Sequence, residues 1–260
     1  MKKFSADFET ATWNPKETWV WAWAVCNINN TDEIKIGNNI DTFIEFCKNS
    51  DNSTFYFHNL KFDSEFIIYY LLTNGYTHIQ DKKDRKDKTF TTLISDMGQF
   101  YSLEIYFEVK NKKCIKATFI DSLKIIPFKV EVIAKSFGLS ISKLEIDYNK
   151  YRPKGWNLTK DERDYITNDV KIVAEALHQL FDKGLTKMTQ GSNALSDYKK
   201  MTGKYRFKHF FPKLDPEVDE DIRKSYKRRL YLFKSYIFRK RSRKRCSIRC
   251  KFIIPLGYEI

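Results

Sequence analysis

The sequence predicts an α/β fold in which a mixed β-sheet is flanked by helices. β-type segments dominate the first half of the chain, segments with helical spacing interrupt them as crossovers, and a long amphipathic helix follows. At 260 residues the chain has room for one large domain and a smaller remnant. A hydrophobic content of 42% supports a packed core rather than a disordered chain.

Strands are predicted where apolar residues alternate with polar ones or form short runs bounded by polar segments. The first strand ends in carboxylates, and the second alternates aromatic with small apolar residues. A charged and exposed connection is expected at 81–88. The predicted strands cover residues 2–8, 18–27, 54–57, 91–95, 100–109 and 114–119.

Helices are predicted where apolar residues recur at three- and four-residue spacing. Thr159 is the expected N-cap of the longest helix, with Glu162 at the capping-box position. On that helix Tyr165 and Asp169 would share one face. Gly138 is the expected stop of a shorter helix. The predicted helices cover residues 40–47, where Asp41 is the expected cap, 62–72, 130–137 and 160 to about 180.

Four acidic side chains stand where they could form a metal site. Asp7 and Glu9 alternate on a predicted strand and so point to one face, Asp63 follows a turn, and Asp169 lies on the long helix. Two divalent cations held by such ligands can activate water and stabilise the leaving oxygen in phosphodiester hydrolysis. Mg²⁺ or Mn²⁺ is favoured over Zn²⁺ because no Cys or His cluster accompanies these acids. Tyr165, one turn before Asp169, would orient the attacking water.

Each of these motifs alone has an ordinary structural interpretation. A pair such as Asp7 and Glu9 on a strand is usually a solvated edge, and Asp63 alone would more often cap the helix that follows it. His58 alone is more often a hydrogen-bonded structural histidine than a ligand. Their order along the chain, on suitable elements, favours the catalytic interpretation.

Three short motifs stand in order along the chain: Asp7-Phe8-Glu9-Thr10, His58-Asn59-Leu60-Lys61-Phe62-Asp63 and Tyr165-x-x-x-Asp169. They resemble the exonuclease motifs of family B DNA polymerases, especially the protein-primed polymerases of small tailed phages. The resemblance implies an RNase H-like (DnaQ-type) exonuclease fold and 3′→5′ proofreading of single-stranded DNA. Further similar stretches lie at 35–38, 121–124, 146–148, 152–153 and 188–192, so the resemblance extends from about residue 4 to 226.

The same resemblance implies roles for individual residues. The four carboxylates would bind the two metal ions, Tyr165 would position the water, and Lys143 would assist near the phosphate. For Phe62 and Leu123 the alternative is ordinary core packing. The residues expected to hold the 3′ end of the DNA are Thr10, His58, Asn59, Phe62, Ser122 and Leu123.

The net charge of +14 is concentrated in residues 227–260, which hold twelve Lys or Arg and one acid. Residues 1–226 hold 35 basic and 32 acidic residues, a net of +3. A DNA-binding arm is the simple interpretation of the basic run, and Cys246 and Cys250 alone are weak evidence for zinc. We instead expect an out-of-frame tail. One extra nucleotide near the Lys227 codon would explain such a tail. The codons permitted for residues 228–230 can encode Gly-Gly-Phe when they are read one nucleotide later, directly after Tyr226-Lys227.

We therefore expect an exonuclease domain at 1–190, a connector toward a polymerase domain at 191–226 and an out-of-frame, non-native basic tail at 227–260. The expected activity is metal-dependent 3′→5′ exonuclease without nucleotidyl transfer, because the chain carries no polymerase-type carboxylate motif. Two alternatives stay open. One is a non-catalytic fragment that binds single-stranded DNA or the terminal (priming) protein, and the other is an unstable product.

Cellular setting is inferred from what the sequence lacks. No apolar run approaches membrane-spanning length, and no signal-type segment precedes Asp7. Five cysteines, an odd number, argue against a disulfide framework. We expect a monomer that has no membrane partner. We expect it in the cytoplasm, and in the cytoplasm of the bacterial host if a phage encodes the chain.

Overall fold

The computed structural model describes residues 2–11, 17–50, 52–110 and 113–224. The chain divides into two compact units, Met1–Tyr198 and Lys199–Ile260. The tail expected at 227–260 lies outside the described residues, and the domain boundaries at 190 and 226 stay predictions. None of the helices in the described ranges is long and apolar enough to cross a membrane.

The first unit is built on a mixed sheet of eight strands, which confirms the predicted α/β class. In chain order the strands are β1 (Lys3–Thr10), β2 (Val20–Asn27), β3 (Asn30–Gly37), β4 (Thr54–Phe57), β5 (Thr77–His78), β6 (Thr89–Ile94), β7 (Phe100–Lys110) and β8 (Lys113–Asp121). Across the sheet the order is β3-β2-β1-β4-β8-β7-β6-β5, with β1–β4, β4–β8 and β5–β6 parallel and the other neighbours antiparallel.

Helices cover both faces of this sheet. The helices are α1 (Ile40–Asn49), α2 (Leu60–Thr73), α3 (Val130–Ser136), α4 (Lys160–Asp182), α5 (Gln190–Thr202) and α6 (Lys204–Phe210). One core packs α1 and α2 against side chains such as Phe8 and Phe55, and the other packs α3 and α4 against Trp21 and Tyr56. Neighbouring Phe55 and Tyr56 enter opposite cores because successive strand residues point to opposite faces.

Helix caps agree with the sequence at α4 and differ at α1. The capping box of Thr159 and Glu162 is present at the start of α4. Gly138 follows α3 with a φ of 63°, the left-handed conformation that glycine accepts at a helix end. Asp41 is not the cap of α1: Asn39 is, because its side chain accepts a hydrogen bond from the Thr42 N–H.

Several elements are not predicted by the sequence, among them the two-residue strand β5. β3 is an edge strand whose residues are all exposed or half-buried, and only Ile34 and Ile36 in it are apolar, so the alternation is too short to predict an eight-residue strand. Helices α5 and α6 and a helical segment at 216–224 lie mainly in the stretch for which only a connector is expected. In the second unit, Phe207 and Phe211 pack with ring centroids 5.1 Å apart.

Candidate metal centre

Three carboxylates meet between the central strand β1 and the helix α4. Asp7 and Glu9 alternate on β1 and point to the face that α4 covers, while Asp169 comes from the middle of α4. One carboxylate oxygen of each residue lies within 4.8 Å of those of the other two. The structure therefore brings together three of the four acids that the sequence singles out.

Burial and mutual repulsion disfavour the ionised form of these acids. The pKa of Asp7 is raised to about 7, first by burial and then by the negative charge of Asp169. The pKa of Glu9 is raised well above its ordinary value by burial and by Asp7, and burial also raises that of Asp169. Without added positive charge the three acids cannot all ionise cheaply, since like charges this close repel.

Asp169 has one carboxylate oxygen that a cation could bind. Its Oδ2 accepts a hydrogen bond from Lys143 Nζ at 2.9 Å, but its buried Oδ1 has no hydrogen-bond partner among the described residues. Buried polar atoms without a partner are rare and costly. An unused carboxylate oxygen beside two further carboxylates matches the hard oxygen donors that Mg²⁺ and Mn²⁺ prefer, so the residues present fit a divalent cation.

Asp63 lies outside this group of three but is electrostatically linked to it. Its pKa is raised well above the ordinary value, first by burial and next by the charge of Asp7. Asp63 is the fourth residue of α2, and the N-cap position belongs to Asn59 in a left-handed conformation with a φ of 80°. The alternative in which Asp63 caps this helix is therefore wrong.

Lys143 and two tyrosines border the acids. The hydroxyls of Tyr165 and Tyr148 lie 2.7 Å apart, and Lys143 Nζ is 5.6 Å from the centroid of the Tyr165 ring. Burial, together with the charges of Glu9 and Asp169, raises the pKa of Tyr165, so its hydroxyl stays a donor. Burial alone would lower the pKa of Lys143, but its bond to Asp169 outweighs burial and raises the pKa. Tyr148 is a neighbour for which the sequence assigns no role, although it ends the similar stretch 146–148.

His58 and Ser122 are held by the protein itself. His58 Nδ1 lies 3.1 Å from Ser122 Oγ, and its Nε2 lies 2.6 Å from the Phe128 carbonyl oxygen. Ser122 is fully buried, and its hydroxyl also lies 3.0 Å from the Phe57 carbonyl oxygen. These bonds match the interpretation of His58 as a structural histidine, and DNA contacts by either residue stay a prediction.

The other residues expected to hold DNA lie at the surface. Phe62 is 49% exposed, so the alternative of core packing is wrong for this ring. Asn59 is exposed, and Thr10 and Leu123 are half-buried. Asp121, which sequence reasoning did not assign to the site, accepts hydrogen bonds from the backbone N–H groups of Asn59, Leu60 and Leu123 and so ties two surface segments together.

Comparison with known proteins identifies the family to which the chain belongs. Residues 44–227 match the family described as DNA polymerase type B, organellar and viral, so the chain belongs to that family. It is 42% identical over 226 residues to the DNA polymerase of Bacillus phage phi29, covering 87% of this chain and 38% of the phage protein. It is 32% identical over 238 residues to the DNA polymerase of Streptococcus phage Cp-1, covering 85% and 38% of the two chains.

Solved structures show the same relationship. The phi29 DNA polymerase complexed with single-stranded DNA matches with a TM-score of 0.79 and 41% identity, over 85% of this chain and 39% of that chain. The complex with primer-template DNA matches with a TM-score of 0.79, over 85% and 38% of the two chains. The fold is therefore the RNase H-like type expected from the motifs. The chain spans about two fifths of the length of these relatives.

Proposed function

We propose that this chain carries the metal-dependent 3′→5′ exonuclease, or proofreading, module of a protein-primed type B DNA polymerase. One observation carries the proposal: the cluster of Asp7, Glu9 and Asp169 with an unused, buried oxygen on Asp169. The family membership supports it, as does the likeness to a polymerase complexed with single-stranded DNA. The proposed substrate is the 3′ end of single-stranded DNA.

The carboxylates would supply the binding site for two divalent ions, Mg²⁺ or Mn²⁺. Asp7, Glu9 and Asp169 would contribute the central ligands, and Asp63 would complete the set from α2. Bound ions of this kind supply an activated water and charge stabilisation for phosphodiester hydrolysis. The raised pKa values of these acids match such a role, because the cation replaces the protons that burial otherwise favours.

The neighbouring side chains would orient and stabilise the reacting groups. The Tyr165 hydroxyl, held by Tyr148 at 2.7 Å, would donate to the attacking water or to a phosphate oxygen and fix its position. The Lys143 ammonium, beside Asp169, would counter negative charge that develops on the phosphate. The exposed ring of Phe62 and the half-buried Leu123 would pack against unstacked bases.

The remaining partners rest on resemblance. A terminal protein is a proposed second partner because protein-primed polymerases use one. We propose a monomer acting in the cytoplasm of the cell in which the DNA replicates.

A 5′-labelled single-stranded oligonucleotide with Mn²⁺ tests the activity. The full chain should shorten it stepwise from the 3′ end, and a phosphorothioate at the last linkage should slow that loss. The double variant Asp7→Ala with Asp169→Ala should be at least about 100-fold slower, because outer partners of a metal site alone cost 10- to 100-fold. Asp32→Ala is the matched control, since Asp32 is an acid with an 86% exposed side chain on β3.

The outcomes separate the alternatives. Equal loss of 3′ nucleotides with the parent and the double variant would assign the activity to a contaminant and contradict the proposal. Binding without cutting by the parent would favour the non-catalytic fragment. Binding without cutting by the double variant alone leaves the site assignment intact.

A further inference from the structure

The geometry points to Arg152 as a positioning residue for the carboxylate site. This inference rests on the proposed function, and it identifies the side chain that fixes the position of α4 relative to β1. Arg152 is 1% exposed, although it carries a permanent charge. Burying a guanidinium is expensive unless it is paired and its donors are satisfied. Its placement therefore needs a reason beyond surface solvation.

Arg152 joins three separate pieces of the molecule. Its Nε donates to Glu162 Oε1 at 2.8 Å, and its Nη1 donates to the carbonyl oxygens of Asp147 at 2.9 Å and Lys150 at 3.1 Å. Its Cζ lies 4.4 Å from the centroid of the Trp21 ring on β2. One planar side chain thus contacts the first turn of α4, the segment 147–150 and the sheet.

Glu162 accepts more hydrogen bonds than its role in the capping box requires. Its Oε1 also accepts from Lys150 Nζ at 3.3 Å, and its Oε2 accepts from Trp156 Nε1 at 2.8 Å and from the Thr159 N–H at 2.9 Å. Burial opposes ionisation, but these hydrogen bonds outweigh it and lower the pKa of Glu162 to about 2. The first turn of α4 is therefore fixed by an ion pair in which the Glu162 carboxylate is ionised at neutral pH.

The segments that Arg152 contacts also carry, or adjoin, residues of the carboxylate site. Glu162 precedes Tyr165 by three residues and Asp169 by seven, so the three side chains follow one face of α4, and all three are buried. Asp147 is adjacent to Tyr148, whose hydroxyl lies 2.7 Å from that of Tyr165. Fixing the first turn of α4 therefore fixes where Tyr165 and Asp169 meet β1.

The sheet contact depends on an irregularity beside the acids. Glu9 pairs with Ala22 and Thr10 with Val20, so Trp21 is an extra residue in β2. Trp21 and Ala22 consequently face the same core, the one that contains α4. A β-bulge of this kind redirects a side chain, and here it turns Trp21 toward Arg152 directly beside Glu9.

The test compares Arg152→Met and Arg152→Lys with Ile44→Ala, a core truncation in α1 on the opposite face of the sheet. All are made in the full chain and assayed well below the lowest Tm. Mn²⁺ affinity is measured by electron paramagnetic resonance, and kcat and KM are measured on the single-stranded oligonucleotide. Arg152→Met should weaken Mn²⁺ binding and lower kcat by about tenfold or more, with KM within about twofold. Arg152→Lys keeps the charge but cannot reach all three acceptors, so it should fall between.

Ile44→Ala shows what a loss of stability alone does, because it weakens the core on the other face of the sheet. It should keep Mn²⁺ affinity and kcat within about twofold of the parent. If Arg152→Met matches Ile44→Ala in both quantities, Arg152 is not a positioning residue. If neither Arg152 variant folds, Arg152 serves global stability and the inference is overturned. A parent that binds Mn²⁺ without cutting DNA removes the proposed function, and Mn²⁺ affinity then decides on Arg152 alone. A parent that binds no Mn²⁺ overturns both.

Discussion

Two buried acids on the same face of α4, Glu162 and Asp169, have opposite electrostatic environments. Each side chain is 3% exposed. Glu162 accepts hydrogen bonds with both oxygens, and its pKa is lowered to about 2. Asp169 uses one oxygen for Lys143 and leaves the other without a partner among the described residues, and its pKa is raised.

The difference separates a structural acid from a candidate ligand. Protein donors complete the surroundings of Glu162, so this carboxylate stabilises the fold by itself. The surroundings of Asp169 are incomplete and crowded by Asp7 and Glu9, so the fold holds this carboxylate at a cost. Buried acids that remain costly in the folded protein are typical of functional sites.

Glu162→Gln should have the largest effect on stability. A neutral amide can accept at one end only, so it would leave the buried Arg152 guanidinium or the donors of Trp156 and Thr159 without a partner. Breaking a buried pair from one side costs roughly 3–5 kcal/mol. Urea unfolding at pH 8 with a chelator present should show a fall of about that size in the free energy of unfolding.

Asp169→Asn is the matched control for that variant, since it makes the same chemical change two turns along the same helix. It relieves repulsion among the acids, so the metal-free free energy of unfolding should stay the same or rise. Lys143 loses its partner at little cost because its side chain is 34% exposed. A loss as large as that of Glu162→Gln would show that the two acids do not differ.

A further effect, which depends on pH, should appear in Asp7→Asn. Since the pKa of Asp7 is raised to about 7 from 3.8, the folded protein binds this proton more tightly than the unfolded chain. That contribution to stability is fully present below about pH 4 and is lost as the pH rises through about 7. In chelator, the variant should therefore gain stability relative to the parent between about pH 4 and 7.

Thermal unfolding of both proteins across this range measures that change. Saturating Mn²⁺ at pH 8 should reverse it, because the ionised parent gains the binding energy and the variant loses a ligand. A parent-to-variant difference that does not change with pH would contradict the raised pKa of Asp7.

Local sequence rules were enough for the elements that carry the acids. Strand alternation placed Asp7 and Glu9 on one face, and the capping box of Thr159 and Glu162 fixed where α4 begins. Four-residue spacing placed Tyr165 and Asp169 on one side of the helix. These features depend on neighbours a few positions away, which a sequence pattern records directly.

Features made by distant residues could not be found in this way. The capping box assigned Glu162 only to its helix, whereas its pairing with Arg152 depends on how 147–156 folds back over α4. The bulge at Trp21 depends on the pairing of β1 with β2. In β3 only Ile34 and Ile36 are apolar, which is too short an alternation to mark the whole strand, and a sequence pattern does not give the distance of Asp63 on α2 from the group of three.

A crystal structure with bound Mn²⁺, with data collected at the manganese absorption edge, tests the central claim most directly. The full chain should show an anomalous peak bounded by carboxylate oxygens of Asp7, Glu9 and Asp169, with the otherwise unused Oδ1 of Asp169 turned to it. Crystals of Asp169→Ala should lack this peak, and no peak should lie at Glu162. A parent crystal saturated with Mn²⁺ but without density at these three residues would contradict the account.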